Sequence, residues 1–246
     1  MVAGAGAGRG KDGRAPEEDG PGRVRALDGE GRGYSDWSAP TPWQINAPTP
    51  VAALGDSITH GGGAISTPPC RTLYDWETYA TIPVKNIGFS GDTAAAMADR
   101  FEADVLPFKP RLLVVMGGVN DFRSGTPAAV TIRFLRQIAD KCRAYGITPV
   151  FVTATPINPQ RMAGSFGMEA AAANWQRNQR QINDWIMAQP YAVDVTGALT
   201  DEHGDLRSDY TADGLHPDYE AKRYIGETIG RYVTTHFPTI TDKVGT

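Results

Sequence analysis

Val51-Ala52-Ala53-Leu54-Gly55-Asp56-Ser57-Ile58-Thr59 opens on four apolar residues and then turns polar. A short apolar run without alternation is how a strand buried on both faces of a parallel sheet reads. The glycine after it frees the backbone for a turn, and Asp56 or Ser57 can cap the helix that follows. Strand character recurs at residues 84–88, 112–117, 148–153 and 192–195, the first of the five being 51–56.

Helical patterns lie between these runs. Thr126-Pro127 reads as an N-cap followed by proline at the first helical position. Val130, Phe134, Ile138 and Cys142 then follow at four-residue spacing, and Gly146 supplies the stop. Ala94, Met97, Phe101 and Val105 make a second apolar stripe, and Trp175, Ile182, Trp185 and Ile186 a third. The last helix is predicted to start at Pro217, with Ala221, Ile225, Ile229 and Val233 facing inward. Five strands separated by helices imply an α/β fold, a doubly wound parallel sheet with helices on both faces. In the strand order 2-1-3-4-5 the first strand lies between the second and third, and the order reverses beside Ser57, where such sheets bind ligands.

Three further polar stations fall on the same rim. Asn86-Ile87-Gly88-Phe89-Ser90-Gly91-Asp92-Thr93 follows the second strand and opens a helix, so its amides point outward as unpaired donors. Gly117-Gly118-Val119-Asn120-Asp121 follows the third strand and presents an asparagine at the rim. Asp213-Gly214-Leu215-His216-Pro217 precedes the last helix, and an aspartate three residues ahead of a histidine can hold one imidazole nitrogen and leave the other as a base. Each station alone reads as a turn or a cap. Together, Ser57, the Gly91 amide, the Asn120 amide and the Asp213–His216 pair supply a nucleophile, a base with its orienter, and donors for an oxyanion, which is the equipment of acyl transfer.

These four stations resemble, in order and separation, the four blocks of the SGNH or GDSL hydrolase superfamily. The resemblance covers about residues 51–235. It implies a flavodoxin-like, three-layer α/β/α domain and hydrolysis of esters or thioesters without a metal or other cofactor. It also implies Ser57 as nucleophile, Asp213 and His216 completing the triad, and Ser57, Gly91 and Asn120 as oxyanion donors. Members of that superfamily range from lysophospholipases and thioesterases to deacetylases of plant cell-wall sugars.

Composition narrows the partners. The chain has 246 residues, a formal net charge of −4 and 41% hydrophobic residues, with no concentrated block of Lys and Arg, so a nucleic-acid or anionic-membrane surface is not expected. No apolar run approaches the roughly 18 residues of a membrane span. Residues 1–35 are Gly, Ala and charged, and are expected to be disordered; residues 36–50, with Trp37 and Trp43 among prolines, are expected to form an extended strap; residues 51–246 are expected to form the hydrolase domain. The glycines, Arg9 and Lys11 leave no convincing signal peptide, so a cytoplasmic location is favoured. Cys142 reads as a buried free thiol, and a Cys70–Cys142 bridge is not expected.

Two rival readings use the same residues. Asp56, Asp121, Asp213 and His216 form an oxygen-rich metal set, which leaves Ser57, Gly91 and Asn120 without a role. His60 and His203 compete for the part of base, but only His216 has an upstream aspartate at the spacing of the family that the chain resembles. The long loops 59–82 and 154–174 mix polar and aromatic residues and contain no long apolar tract, so short acyl groups on a small-molecule or carbohydrate ester are the expected substrate. Longer chains, on a lysophospholipid or thioester, are the alternative. Asp56, His60 and Arg161 are the expected substrate-binding residues.

Overall fold

β1 (Val51–Gly55) is the second strand of a five-stranded sheet. β2 (Lys85–Asn86) pairs on one side of it; β3 (Leu112–Met116), β4 (Thr148–Val152) and β5 (Ala192–Val193) follow on the other. Every pairing is parallel, in the order 2-1-3-4-5. Val51 to Leu54 and Leu112 to Val114 are fully buried, as expected for strands covered on both faces. All five strands fall within the runs read from sequence.

The computed structural model describes residues 49–61, 72–165, 167 and 169–240, with the backbone of four short strands, Val2–Gly4, Asp19–Gly22, Val24–Ala26 and Thr41–Gln44. The chain divides into two units, residues 1–47 and 48–246. In the first, Val2–Gly4 pairs with Val24–Ala26 and Asp19–Gly22 with Thr41–Gln44, both antiparallel. The expected disorder of 1–35 and docking of 36–50 concern stretches whose greater part lies outside the described residues, as do Cys70 and residues 62–71 of the first long loop.

The helices of the second unit are α1 (Ser57–His60), α2 (Ala94–Asp99), α3 (Phe101–Val105), α4 (Val119–Arg123), α5 (Ala128–Ala144), α6 (Pro159–Gly164), α7 (Trp175–Met187) and α8 (Tyr219–His236). Strand order reverses at β1, and crossovers between parallel strands are right-handed, so the connections on either side of the reversal lie on opposite faces. α2, α5 and α7 pack in series on one face. α8 packs on the 3₁₀ turns Thr72–Tyr74 and Trp76–Tyr79, which belong to the β1–β2 connection on the other. Among the described residues no helix is long and apolar enough to cross a membrane.

Three details differ from the sequence reading. α5 starts at Ala128, because Pro127 has ψ 135°, an extended value, and stands at the N-cap itself. Its buried positions are Ala128, Thr131, Leu135, Ile138 and Cys142, while Val130 and Phe134 are only partly buried. Spacing of four at every step drifts around a helix of 3.6 residues per turn, and alternation of three and four stays on one face. α8 starts at Tyr219, where Asp218 caps it by accepting from the Ala221 N–H at 3.1 Å. Cys142 is a buried free thiol, and burial pushes it up to about 12.

Candidate active site

The polar stations meet at the carboxyl ends of β1, β2 and β3. Asp56 is the N-cap of the single-turn α1, its Oδ1 accepting from the Ile58 N–H at 2.9 Å, and Ser57 opens the turn. Ser57 Oγ lies 2.9 Å from His216 Nε2, and His216 Nδ1 lies 2.7 Å from Asp213 Oδ2. The contact between Ser57 and His216 joins residues 159 apart in the chain.

The Asp213 carboxylate is crowded with donors. Its Oδ1 accepts from the backbone N–H groups of Leu215 and His216, each at 2.8 Å. Burial on its own would raise this carboxyl; the hydrogen bond from His216, the charge of that ring and the two amides outweigh it and hold the group down to about 2. Thr211 shapes the loop: its Oγ accepts from the Gly214 N–H at 2.9 Å and lies 2.9 Å from the His216 carbonyl oxygen. Asn158 secures the same loop from α6, its N–H donating to the Gly214 carbonyl at 2.7 Å and its Nδ2 to that of Leu206 at 2.9 Å.

On the other side of Ser57, Asn86 donates to the Thr59 carbonyl at 2.6 Å and so ties the second station to α1. Gly91 is exposed, with φ +88°, a conformation that favours glycine, and its N–H donates to no described residue. Asn120 is 7% exposed and held at both ends of its amide. Its Nδ2 donates to the Asp92 carbonyl at 2.9 Å, and its Oδ1 accepts from Arg123 Nε at 3.2 Å. An amide nitrogen carries two hydrogens, so one donor is left over. Arg100 binds the whole corner together, donating to Asp92 at 2.6 Å and to the carbonyls of Ile87 and Gly55.

The remaining candidate residues stand outside that hydrogen-bonded chain of Ser57, His216 and Asp213. Asp56 is 1% exposed, with its carboxylate turned into the α1 cap, and burial raises it to about 6. His60 Nδ1 lies 2.9 Å from Ser90 Oγ, with its ring tilted against exposed Phe89. Arg161 is exposed on α6. His203 is exposed, 3.7 Å from Glu202. Asp121 accepts from the Ala94 N–H, at the start of α2, at 2.9 Å. Among the described residues no set of three His, Cys, Asp or Glu side chains is placed to hold a metal ion.

Arg100, Thr211, Asn158 and Lys222 escaped the sequence reading. Only Lys222 left a signal: it interrupts the apolar face of α8, three and seven residues ahead of Ile225 and Ile229. The side chain is 1% exposed.

The model of the GDSL-like Lipase/Acylhydrolase family matches residues 53–224. The Bacillus subtilis protein named uncharacterized lipoprotein YqeF is 28% identical over 185 residues; the match covers 62% of this chain and 66% of that protein, just under two thirds of its length. Among solved structures, the lipase/acylhydrolase from Enterococcus faecalis superposes with a TM-score of 0.60 at 22% identity, over 76% of this chain and 95% of that one. A carbohydrate acetylesterase family member from Sinorhizobium meliloti gives 0.56 at 17% identity, over 77% and 99%. At these identities the likeness is one of fold.

Proposed function

The chain belongs to the GDSL-like lipase/acylhydrolase family, which implies ester hydrolysis, and on that premise we propose that it is a serine esterase acting on carboxylic esters of short acyl chains. The observation that carries the reading is the continuous hydrogen-bonded chain from Ser57 Oγ through His216 to Asp213.

In this mechanism Ser57 Oγ attacks the ester carbonyl carbon while His216 Nε2 takes its proton. Asp213, ionised at any ordinary pH, keeps the Nδ1–H tautomer and stabilises the imidazolium that forms. The oxyanion of the tetrahedral intermediate accepts from the backbone N–H groups of Ser57 and Gly91 and from the second N–H of Asn120. Collapse breaks the ester C–O bond, and His216 returns its proton to the departing alcohol. Water then attacks the acyl-serine by the same route, releasing the acid and restoring Ser57.

The preference for short acyl groups is supported by the two long loops, 59–82 and 154–174, which contain no long apolar tract. Acetyl groups on a carbohydrate are the natural member of that class, and the acetylesterase name of one fold neighbour points the same way. Exposed Leu73 and Phe89 favour the second reading, hydrolysis of longer chains on a lysophospholipid or thioester.

A fluorophosphonate is expected to label Ser57, and Ser57→Ala to lower kcat by several powers of ten with the melting temperature unchanged. A chain-length series of nitrophenyl esters, then acetylated xylan and lysophospholipid, ranks the substrates. Activity lost to a chelator and restored by a divalent ion defeats the serine mechanism.

A further inference from the structure

Beneath the turn that carries Ser57 lies a buried set of charges that the hydrolysis described above does not use. Lys222 stands on the first turns of α8, and Gly226 and Gly230 follow on the same face. A Cβ on Gly226 would come 2.1 Å from the Trp76 carbonyl oxygen, and one on Gly230 would come 1.8 Å from that of Ala80. Backbone therefore meets backbone here, and α8 is locked against residues 76–80. That contact brings Lys222 under α1, where its Nζ donates to the Ile58 carbonyl oxygen. The carboxyls that bear on its charge are Glu77 first, then Asp56 and Asp75. Both Glu77 oxygens and Asp75 Oδ1 are buried without a hydrogen-bond partner among the described residues.

Ile58 immediately follows Ser57, and buried charged side chains from two different elements hold both of its backbone groups. Asp56 accepts from its N–H at 2.9 Å, and Lys222 donates to its C=O. Its side chain is 2% exposed. A helix of four residues has no stability of its own, so these ties set the orientation of the turn. Burying an ammonium is costly unless it is bound. A methionine would fill the same space without that cost, so the charge is explained by what it holds. Burial pushes Lys222 down to about 8, opposed by Glu77 and the two aspartates.

We propose that Lys222 is a positioning residue for catalysis: by holding the Ile58 carbonyl from below, it fixes the Ser57 N–H and Oγ in register with the Gly91 and Asn120 donors. Glu77 and Asp75 balance its charge and do not act on the turn themselves. The inference rests on Ser57 being the nucleophile.

The test compares wild type, Lys222→Met, Glu77→Gln and the double variant by steady-state kinetics on nitrophenyl acetate, rate of fluorophosphonate labelling, and thermal melting. Lys222→Met is expected to lose roughly 10²-fold in kcat and in labelling rate with KM nearly unchanged, as for a small misplacement of reacting groups. Glu77→Gln keeps the donor to Ile58 and is expected to keep kcat. The double variant is expected to regain melting temperature but not kcat. Recovery of kcat together with stability would show that charge balance alone matters and overturn the proposal. Full kcat in folded Lys222→Met overturns it too, as does an equal loss in Glu77→Gln, which stays informative if Lys222→Met does not fold. Failure to label the wild type sinks the Ser57 reading instead; a labelled wild type with an equally reactive Lys222→Met sinks only this one.

Discussion

Two carboxylates on opposite sides of the Ser57 turn have opposite fates. Above it, Asp213 accepts from two backbone N–H groups and the His216 ring and is held down to about 2. Below it, Glu77 has no hydrogen-bond partner among the described residues; burial raises it to about 8, against the pull of Lys222. Both groups are taken out of water, so burial does not decide whether a carboxyl carries charge. Donors do. Asp213 is built to stay ionised beside a ring that gains a proton, whereas Glu77 shares charge with a lysine at a distance.

The comparison is broken most sharply at Asp213. Asp213→Asn removes the charge while keeping the shape, and an amide can present the wrong group to Nδ1. The expected loss in kcat is about 10⁴-fold on a short nitrophenyl ester. A loss below tenfold would mean that the satisfied carboxylate is a loop brace and not the orienter of His216.

Asn120 comes next, because Asp92 and Arg123 preset its amide as the backbone donors preset Asp213. Asn120→Ala is expected to lower kcat by roughly 10²–10³ with a smaller change in KM, since the donor acts on charge that develops only in the transition state. A rise in KM at constant kcat would make it a ground-state contact.

The smallest effect belongs to Asp56, a carboxyl between the two extremes, with one backbone donor and complete burial. Raised from 3.8 to about 6, it keeps its proton in the fold where the unfolded chain has released it. The stability it carries is therefore full in acid and is lost as pH climbs through about 6, a loss of roughly 3 kcal/mol or several degrees of melting temperature. Asp56→Asn keeps an oxygen for the Ile58 cap and is expected to flatten that decline between pH 4 and 7. An unchanged slope would mean that Asp56 ionises in the fold as it does in water.

What the sequence determined by itself was whatever local pattern specifies. Apolar runs marked all five strands, and the polar residues after the first three strands and before the last helix put Ser57, Gly91, Asn120, Asp213 and His216 on one rim of a doubly wound sheet. Boundaries and faces were less legible: the start of α5 depended on the ψ of Pro127, and its buried stripe on a rotation that four-residue spacing does not track. Only the tertiary structure decided what lies beneath the rim. Arg100 reaches two different stations, and Lys222 meets Ile58 across 164 residues, with Glu77 and Asp75 arriving from a third segment. The contacts of Lys222 follow from how α8 packs on residues 76–80, and the charge of a buried group such as Glu77, unlike that of Asp213 with its donors two and three residues away, depends on what that packing brings to it from distant segments.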